Sequence, residues 1–179
     1  RKIKDASNYA IAILEELTML DKDFELTIFD TEKILSNKNQ DISEEFYNFA
    51  LGIENENSNN YNLCMIIGID KFIQILQDDG IDFESHLNKA YEKENYGFII
   101  VDGANKIKEH EYDPWYKQYI ENDNGIWIGN GFDDQYLINI LDRREINNNI
   151  GNSFGYYVES GEFKQIKLIG MKDAGEDDG

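Results

Sequence analysis

At 179 residues the chain has the length of one domain spanning 1–179, and 41% apolar residues with 13% aromatics can fill a core, which argues against disorder. The net charge of −19, from 36 acidic and 17 basic residues, excludes nucleic-acid binding through a general electrostatic field, and the basic groups at Arg1–Lys4, Lys106–Lys108 and Arg143–Arg144 are too short to track DNA. The lone Cys64 excludes an internal disulfide, no signal-peptide pattern opens the chain, and no apolar run approaches the ~20 residues of a bilayer-spanning helix, so no membrane insertion of this segment is expected.

In chain order, Ala10, Ile13, Leu14, Leu17 and Leu20 recur at three- and four-residue steps and predict a helix over Asp5–Leu20, capped by Asp5 or Ser7. Glu25–Asp30 reads as a short strand. Asp41 and Glu44 stand at capping-box spacing before a helix over Ser43–Leu51, followed by a polar, Asn-rich loop over Glu54–Asn62. Leu63–Ile69 is apolar at nearly every position, as in a strand buried on both faces of a parallel sheet; Asp70 ends it, and Phe72, Ile73 and Leu76 predict a helix. Asp82 caps a helix to Lys93. Phe98–Val101 is a second fully apolar strand, ended by Asp102 and Gly103. Asp113-Pro114 is an N-cap–N1 pair for a helix to about Ile120. Gly125–Gly129 predicts a fourth strand of the sheet, Gln135–Leu141 a short helix, and Phe154–Glu159 with Phe163–Ile169 a hairpin turning at Ser160-Gly161. The acidic tail Asp173–Gly179 is expected to fray. Strands alternating with helices give an α/β layered fold, with a mostly parallel sheet and a C-terminal antiparallel hairpin.

Few motifs carry chemistry. The phosphate-loop pattern G-x-x-x-x-G-K-[ST] is absent. His86 and His110 stand at no metal-ligand spacing, and Ser153 and Ser160 have no paired histidine. Gly129-Asn130-Gly131 lacks the third glycine of a dinucleotide fingerprint, Asp78–Asp82 lacks the terminal glutamate of a calcium loop, and Cys64 sits in an apolar strand as inert filling. What remains is positional: Asp30, Asp70 and Asp102 follow strands at the edge where parallel sheets place ligands, either as caps of the next helices or as ligand-facing groups.

The order and spacing of Lys4–Leu17, Leu63–Leu76, Tyr96–Lys106 and Gly125–Leu141 resemble the FtsK/SpoIIIE class of P-loop ATPase domains. More closely, they resemble the last of three ATPase-like domains in the EssC-type membrane coupling proteins of type VIIb secretion. The resemblance implies a three-layer P-loop NTPase-like fold. It likens the first segment to the helix after a Walker A loop, the second to the Walker B strand, the third to the sensor strand with Asp102 at its end, and the fourth to the next sheet strand with its short helix. The Walker A positions read Asp5-Ala6-Ser7-Asn8, with alanine where a lysine reaches phosphate and aspartate where glycine precedes it; after Asp70, the catalytic glutamate position is Lys71.

These losses imply a degenerate ATPase without catalytic residues or a resident metal. No cofactor is expected, and any binding of ATP with Mg²⁺ by Ser7 and Asp70 is weak. The resemblance further implies the cytoplasmic part of a cell-membrane protein that engages WXG100-like cargo and neighbouring ATPase domains of its own chain. Candidate anchors for a cargo helix are Trp115, Tyr116, Tyr119 and Phe132, with Trp127 either a fifth or plain sheet core. Trp115 and Tyr116 are adjacent on one helix, so one of them is expected to face solvent. Two other readings stay open: a nucleotide-binding or active motor domain of the same fold, and an acidic immunity or inhibitor protein, for which a wholly antiparallel sheet is expected.

Overall fold

Alternate residues of β2 (Tyr61–Ile67) enter different cores. Cys64 and Ile66 join Phe29, Phe46 and Phe72 on one face, while Leu63, Met65 and Ile67 meet Leu14 and Val101 on the other. That two-residue period, apolar on both sides, is why the segment reads as unbroken hydrophobic sequence. We describe the chain from a computed structural model over residues 2–20, 24–35, 40–55, 60–147, 149–151 and 153–168. In it β2 lies between β1 (Phe24–Asp30) and β3 (Tyr96–Val101), parallel to both, with Met65 opposite Ile28 and Ile99.

Helix α1 (Lys2–Leu20) covers the Met65 face. The Cys64 face is covered by α2 (Ile42–Asn55), α3 (Ile69–Asp78), α4 (Phe83–Tyr91), α5 (Ala104–Glu109) and α6 (Pro114–Tyr119). Here Phe46, Phe72 and Phe83 pack edge to face or tilted, with ring centroids 5.3–6.1 Å apart, adding about 0.5–1.5 kcal/mol per pair beyond their burial. The caps read from the sequence form: Asp41 Oδ1 accepts the N–H of Glu44 at 3.1 Å, and Asp82 Oδ1 that of Ser85 at 3.3 Å.

Beside this α/β/α sandwich stands an antiparallel sheet, β4 (Gly125–Ile128), β5 (Phe154–Glu159) and β6 (Glu162–Lys167). It has its own core of Phe132, Ile138, Ile150, Tyr156 and Val158. Ser160 and Gly161 turn the β5–β6 hairpin with φ of 51° and 77°, the positive values a two-residue turn requires.

Three expectations about the elements are corrected. Helix α1 starts at Lys2, so Asp5 and Ser7 lie inside it and cap nothing. β4 does not join the parallel sheet but pairs antiparallel with β5, Ile126 opposite Tyr157. Gln135–Leu141 is not helical: the Gln135 side chain captures the N–H groups of Leu137 and Ile138 and the carbonyl of Ile138, which a helix would use itself. Helix α5, after Gly103, was not anticipated. The tail Asp173–Gly179 and Ile169, the end of the expected hairpin, lie outside the described residues.

Candidate functional site

The carboxyl ends of β1, β2 and β3 bring Asp30, Asp70 and Asp102 to one edge of the sheet. The N-cap of helix α3 is Gly68, which has no side chain to cap the helix. The neighbouring strand supplies the cap: Asp102 Oδ2 accepts the N–H of Ile69 at 3.0 Å, while its Oδ1 accepts that of Gly103 at 2.6 Å. Burial pushes the Asp102 carboxyl above its usual range, against the lowering effect of those two bonds. Asp30 Oδ2 likewise accepts the N–H of Leu35 at 2.8 Å. Two of the three strand-end aspartates therefore close local backbone.

Asp70, in the first turn of α3, faces outward into a charged chain of contacts. Its Oδ2 lies 2.7 Å from Lys106 Nζ, and Lys106 also meets Glu109 at 3.0 Å. Its Oδ1 lies 2.9 Å from His110 Nε2, whose Nδ1 lies 2.7 Å from Asp113 Oδ2. Ionised carboxylates only accept, so both histidine bonds form together when the ring carries both protons. The ring rests on Trp115, centroids 5.3 Å apart, and its side chain is only 12% exposed. The bond from Lys106, with a smaller share from His110, holds Asp70 below the usual carboxylate range; Asp70 and Glu109 hold Lys106 above its own.

Lys71 stays exposed and folds back on the end of β1, donating to the carbonyl of Thr31 at 2.8 Å. The Thr31 hydroxyl shares its proton between the carbonyls of Ile67 and Gly68, at 2.8 and 2.9 Å. A methyl group on Gly68 would lie 2.5 Å from that hydroxyl, and the glycine has φ of 81°, so both space and backbone require it. Asp70 and Lys71, the pair the resemblance likens to a Walker B end, thus join the ends of β1 and β2 to α3 and α5.

Of the residues the resemblance likens to a Walker A loop, Asp5 and Ala6 are half-buried and Asn8 is exposed. Ser7 is fully buried and donates to the carbonyl of Ile3 at 2.7 Å, a bond within the helix. Neither Ser7 nor Asp70 offers a side-chain oxygen without a protein partner, and no group of three His, Cys, Asp or Glu residues that could hold a metal occurs among the described residues.

The aromatic candidates divide. Trp115 and Tyr116 are both buried, which corrects the expectation that one faces solvent. Trp115 packs on Phe83 at 5.7 Å, and the Tyr116 hydroxyl donates to Asn122 Oδ1 at 2.9 Å. Both belong to the core on the Cys64 face of the sheet, their own rings edge to face with centroids 5.8 Å apart. Phe132 is buried too, stacked on Tyr156 at 4.3 Å. Trp127 is half-buried and donates to the Asn130 carbonyl. Tyr119 is half-buried, bonded to Asn88, and its ring lies tilted against the exposed Tyr91, centroids 4.6 Å apart. Sequence reasoning missed Lys106, His110 and Asp113. The last two carry a weak signal, an i, i+3 pair immediately before Pro114; nothing in the spacing ties either to Asp70.

No protein-family model matches the chain, and no curated protein matches it by sequence. A solved structure does: the cytoplasmic domain of EssC aligns over 94% of this chain with a TM-score of 0.59 at 13% identity. The chain spans 37% of the length of that EssC chain. A mixed α/β fold, parallel sheet beside antiparallel sheet, is therefore shared with part of the EssC cytoplasmic domain.

Proposed function

We propose that this chain is a degenerate ATPase-fold domain of a type VIIb secretion coupling protein, one that engages export cargo and neighbouring domains rather than hydrolysing ATP. The observation that carries the reading is the state of Asp70: each of its oxygens holds a donor, Lys106 or His110, while Lys71 is spent on a backbone carbonyl. A magnesium-binding carboxylate needs those oxygens, and an ammonium group, which only donates, cannot take a proton from water. The likeness to the cytoplasmic domain of EssC supports the type VII setting and a cytoplasmic position. No helix among the described residues is long and apolar enough to cross a membrane. The parallel sheet disfavours the acidic-inhibitor alternative.

For a helical WXG100-like cargo, burial removes Trp115, Tyr116 and Phe132 as ready anchors. The pair Tyr91–Tyr119 offers an aromatic ledge instead, with Tyr91 71% exposed. Calorimetric titration with Mg·ATP, beside a cargo C-terminal peptide, tests the whole reading. Cargo should bind, Tyr91→Ala should weaken it, and Mg·ATP should give no heat at millimolar concentration. ATP turnover that Asp70→Ala abolishes would sink the proposal.

A further inference from the structure

Tyr91 is the last residue of α4 and stays 71% exposed, even though its ring lies against Tyr119, the last residue of α6. Helical spacing decides what surrounds the pair. Glu84, Asn88, Tyr91 and Glu92 stand at i, i+4, i+7 and i+8, within about 100° of one another round the helix. The bond from the Tyr119 hydroxyl to Asn88 Oδ1 turns this stripe toward α6. Two carboxylates thus flank the rings, Glu92 exposed and Glu84 half-buried. Burial chiefly, then Tyr91, Glu84 and Glu92, push the Tyr119 phenol above its usual pKa, which places both glutamates within electrostatic reach of it. The cations of these helices lie off the stripe. Lys89 follows Asn88 and so sits about 100° round α4, Lys93 lies past the helix end, and Lys117 stands over the Tyr112 ring at 5.5 Å.

We propose that the Tyr91–Tyr119 ledge receives an arginine from a basic segment of a partner protein, its guanidinium over the Tyr91 ring and its N–H groups directed to Glu84 and Glu92. Charge complementarity selects that occupant. The face of an aromatic ring is negative and an ionised carboxylate only accepts, so rings and glutamates favour a cation together. A guanidinium is flat and weakly hydrated and donates in its own plane, so one group can stack on the ring and reach a carboxylate beside it; an ammonium has no flat face to stack. An acidic segment would instead meet two glutamates on a chain of net charge −19, and a purely apolar one would strip water from them without pairing them. At long range the same net charge draws any basic segment toward the molecule, and the ledge gives that general attraction one address. The cargo reading is the premise, since it selects the ledge; the charge around the ledge adds the chemistry of the cargo.

Calorimetric titration of the 179-residue chain with two synthetic helical peptides tests it: one carrying a row of arginines, the other citrulline at the same positions, which keeps the shape and drops the charge. The arginine peptide should bind at least ~10-fold more tightly than the citrulline peptide. Tyr91→Ala should weaken it ~10-fold and Tyr91→Phe should retain it, while Glu84→Gln with Glu92→Gln should also cost ~10-fold, the scale of a desolvated cation–π contact or charged pair. Glu159→Gln with Glu162→Gln, on the β5–β6 hairpin, removes the same charge and should leave binding within about twofold. Equal losses from the two double variants would overturn the proposal in favour of general attraction by net charge. So would equal binding of the citrulline peptide, an unaffected Tyr91→Ala, or a dimer of this chain that Tyr91→Ala disperses, which assigns the ledge to a second copy. Competition with the cargo C-terminal peptide separates the proposal from its premise. Cargo binding that depends on Tyr91 but resists displacement by the arginine peptide overturns the basic chemistry and keeps the cargo reading. An arginine peptide held at Tyr91 by a chain that binds no cargo sinks the cargo reading and keeps the arginine site.

Discussion

Gly68 and Gly80 both have positive φ, 81° and 71°, yet the surroundings set different costs for replacing them. Alanine at Gly80 meets nothing within 4 Å and pays only for the left-handed backbone, about 1–2 kcal/mol. Alanine at Gly68 adds a methyl group 2.5 Å from Thr31 Oγ1 and 2.8 Å from Glu32 Cγ, so overpacking brings the loss to about 2–4 kcal/mol. Urea unfolding of the two variants should rank them in that order. Asp70 makes a pH prediction. Its pKa is depressed in the fold, so its contribution is complete above the ordinary carboxylate value near ~4 and is lost as pH falls through the lower folded value. Asp102 has the opposite sign: with its pKa raised by burial, stability falls as pH rises from the ordinary value to the raised one. Asp70→Asn should therefore flatten the loss of stability on acidification, and the urea midpoint followed from pH 6 to pH 3 reads it. The effect is modest, because Lys106 is half exposed and solvent screens the pair.

Among elements, the antiparallel sheet stands on a core separate from the two that flank β2. Phe132 is the centre of that core, stacked on Tyr156 and edge-on to Phe163 at 5.6 Å. Phe132→Ala should cost about 3–5 kcal/mol, with amide exchange rising in β4, β5 and β6 and staying slow in β2. A uniform rise across both sheets would mean that they unfold as one unit. The same contrast explains what the sequence made legible. β2 and the β5–β6 hairpin were readable because their signals are local: apolar residues on both faces, and a Ser160-Gly161 pair suited to positive φ. The direction of β4 was not, since a four-residue strand carries no mark of parallel or antiparallel pairing. Nor was the irregular path after Gln135, because a helical pattern gave way to one side chain closing on its own backbone and to the Asn139 N–H bonding the Asn122 carbonyl. At the candidate site, position at a strand end identified Asp70 and Asp102. His110 lies forty residues from Asp70 in sequence, and only the docking of α5 beside α3 joins them.

For the molecule as a whole, charge is the dominant unspent energy. A net charge of −19 repels itself; among the described residues Asp70 and Glu109 share Lys106, and Asp142 takes Arg144, while 36 acids face 17 basic residues in the whole chain. The Lys106 and Arg144 pairs are largely exposed and contribute little, so screening them loses less than screening the repulsion gains. Raising NaCl from ~0.01 to ~0.15 M shortens the screening length from about 30 to about 8 Å and should raise the melting temperature. A gain of 1 kcal/mol would appear as roughly 2–4 °C in a chain of this length. Magnesium chloride at matched ionic strength should do the same and no more, because screening does not select a site. Adding ATP to that magnesium separates the two accounts of the fold. A degenerate domain melts at the same temperature with or without nucleotide. A nucleotide-binding one is stabilised further, by about 2.7 kcal/mol when ligand stands at a hundred times its dissociation constant, and that shift would return Asp70 to the role of a metal ligand.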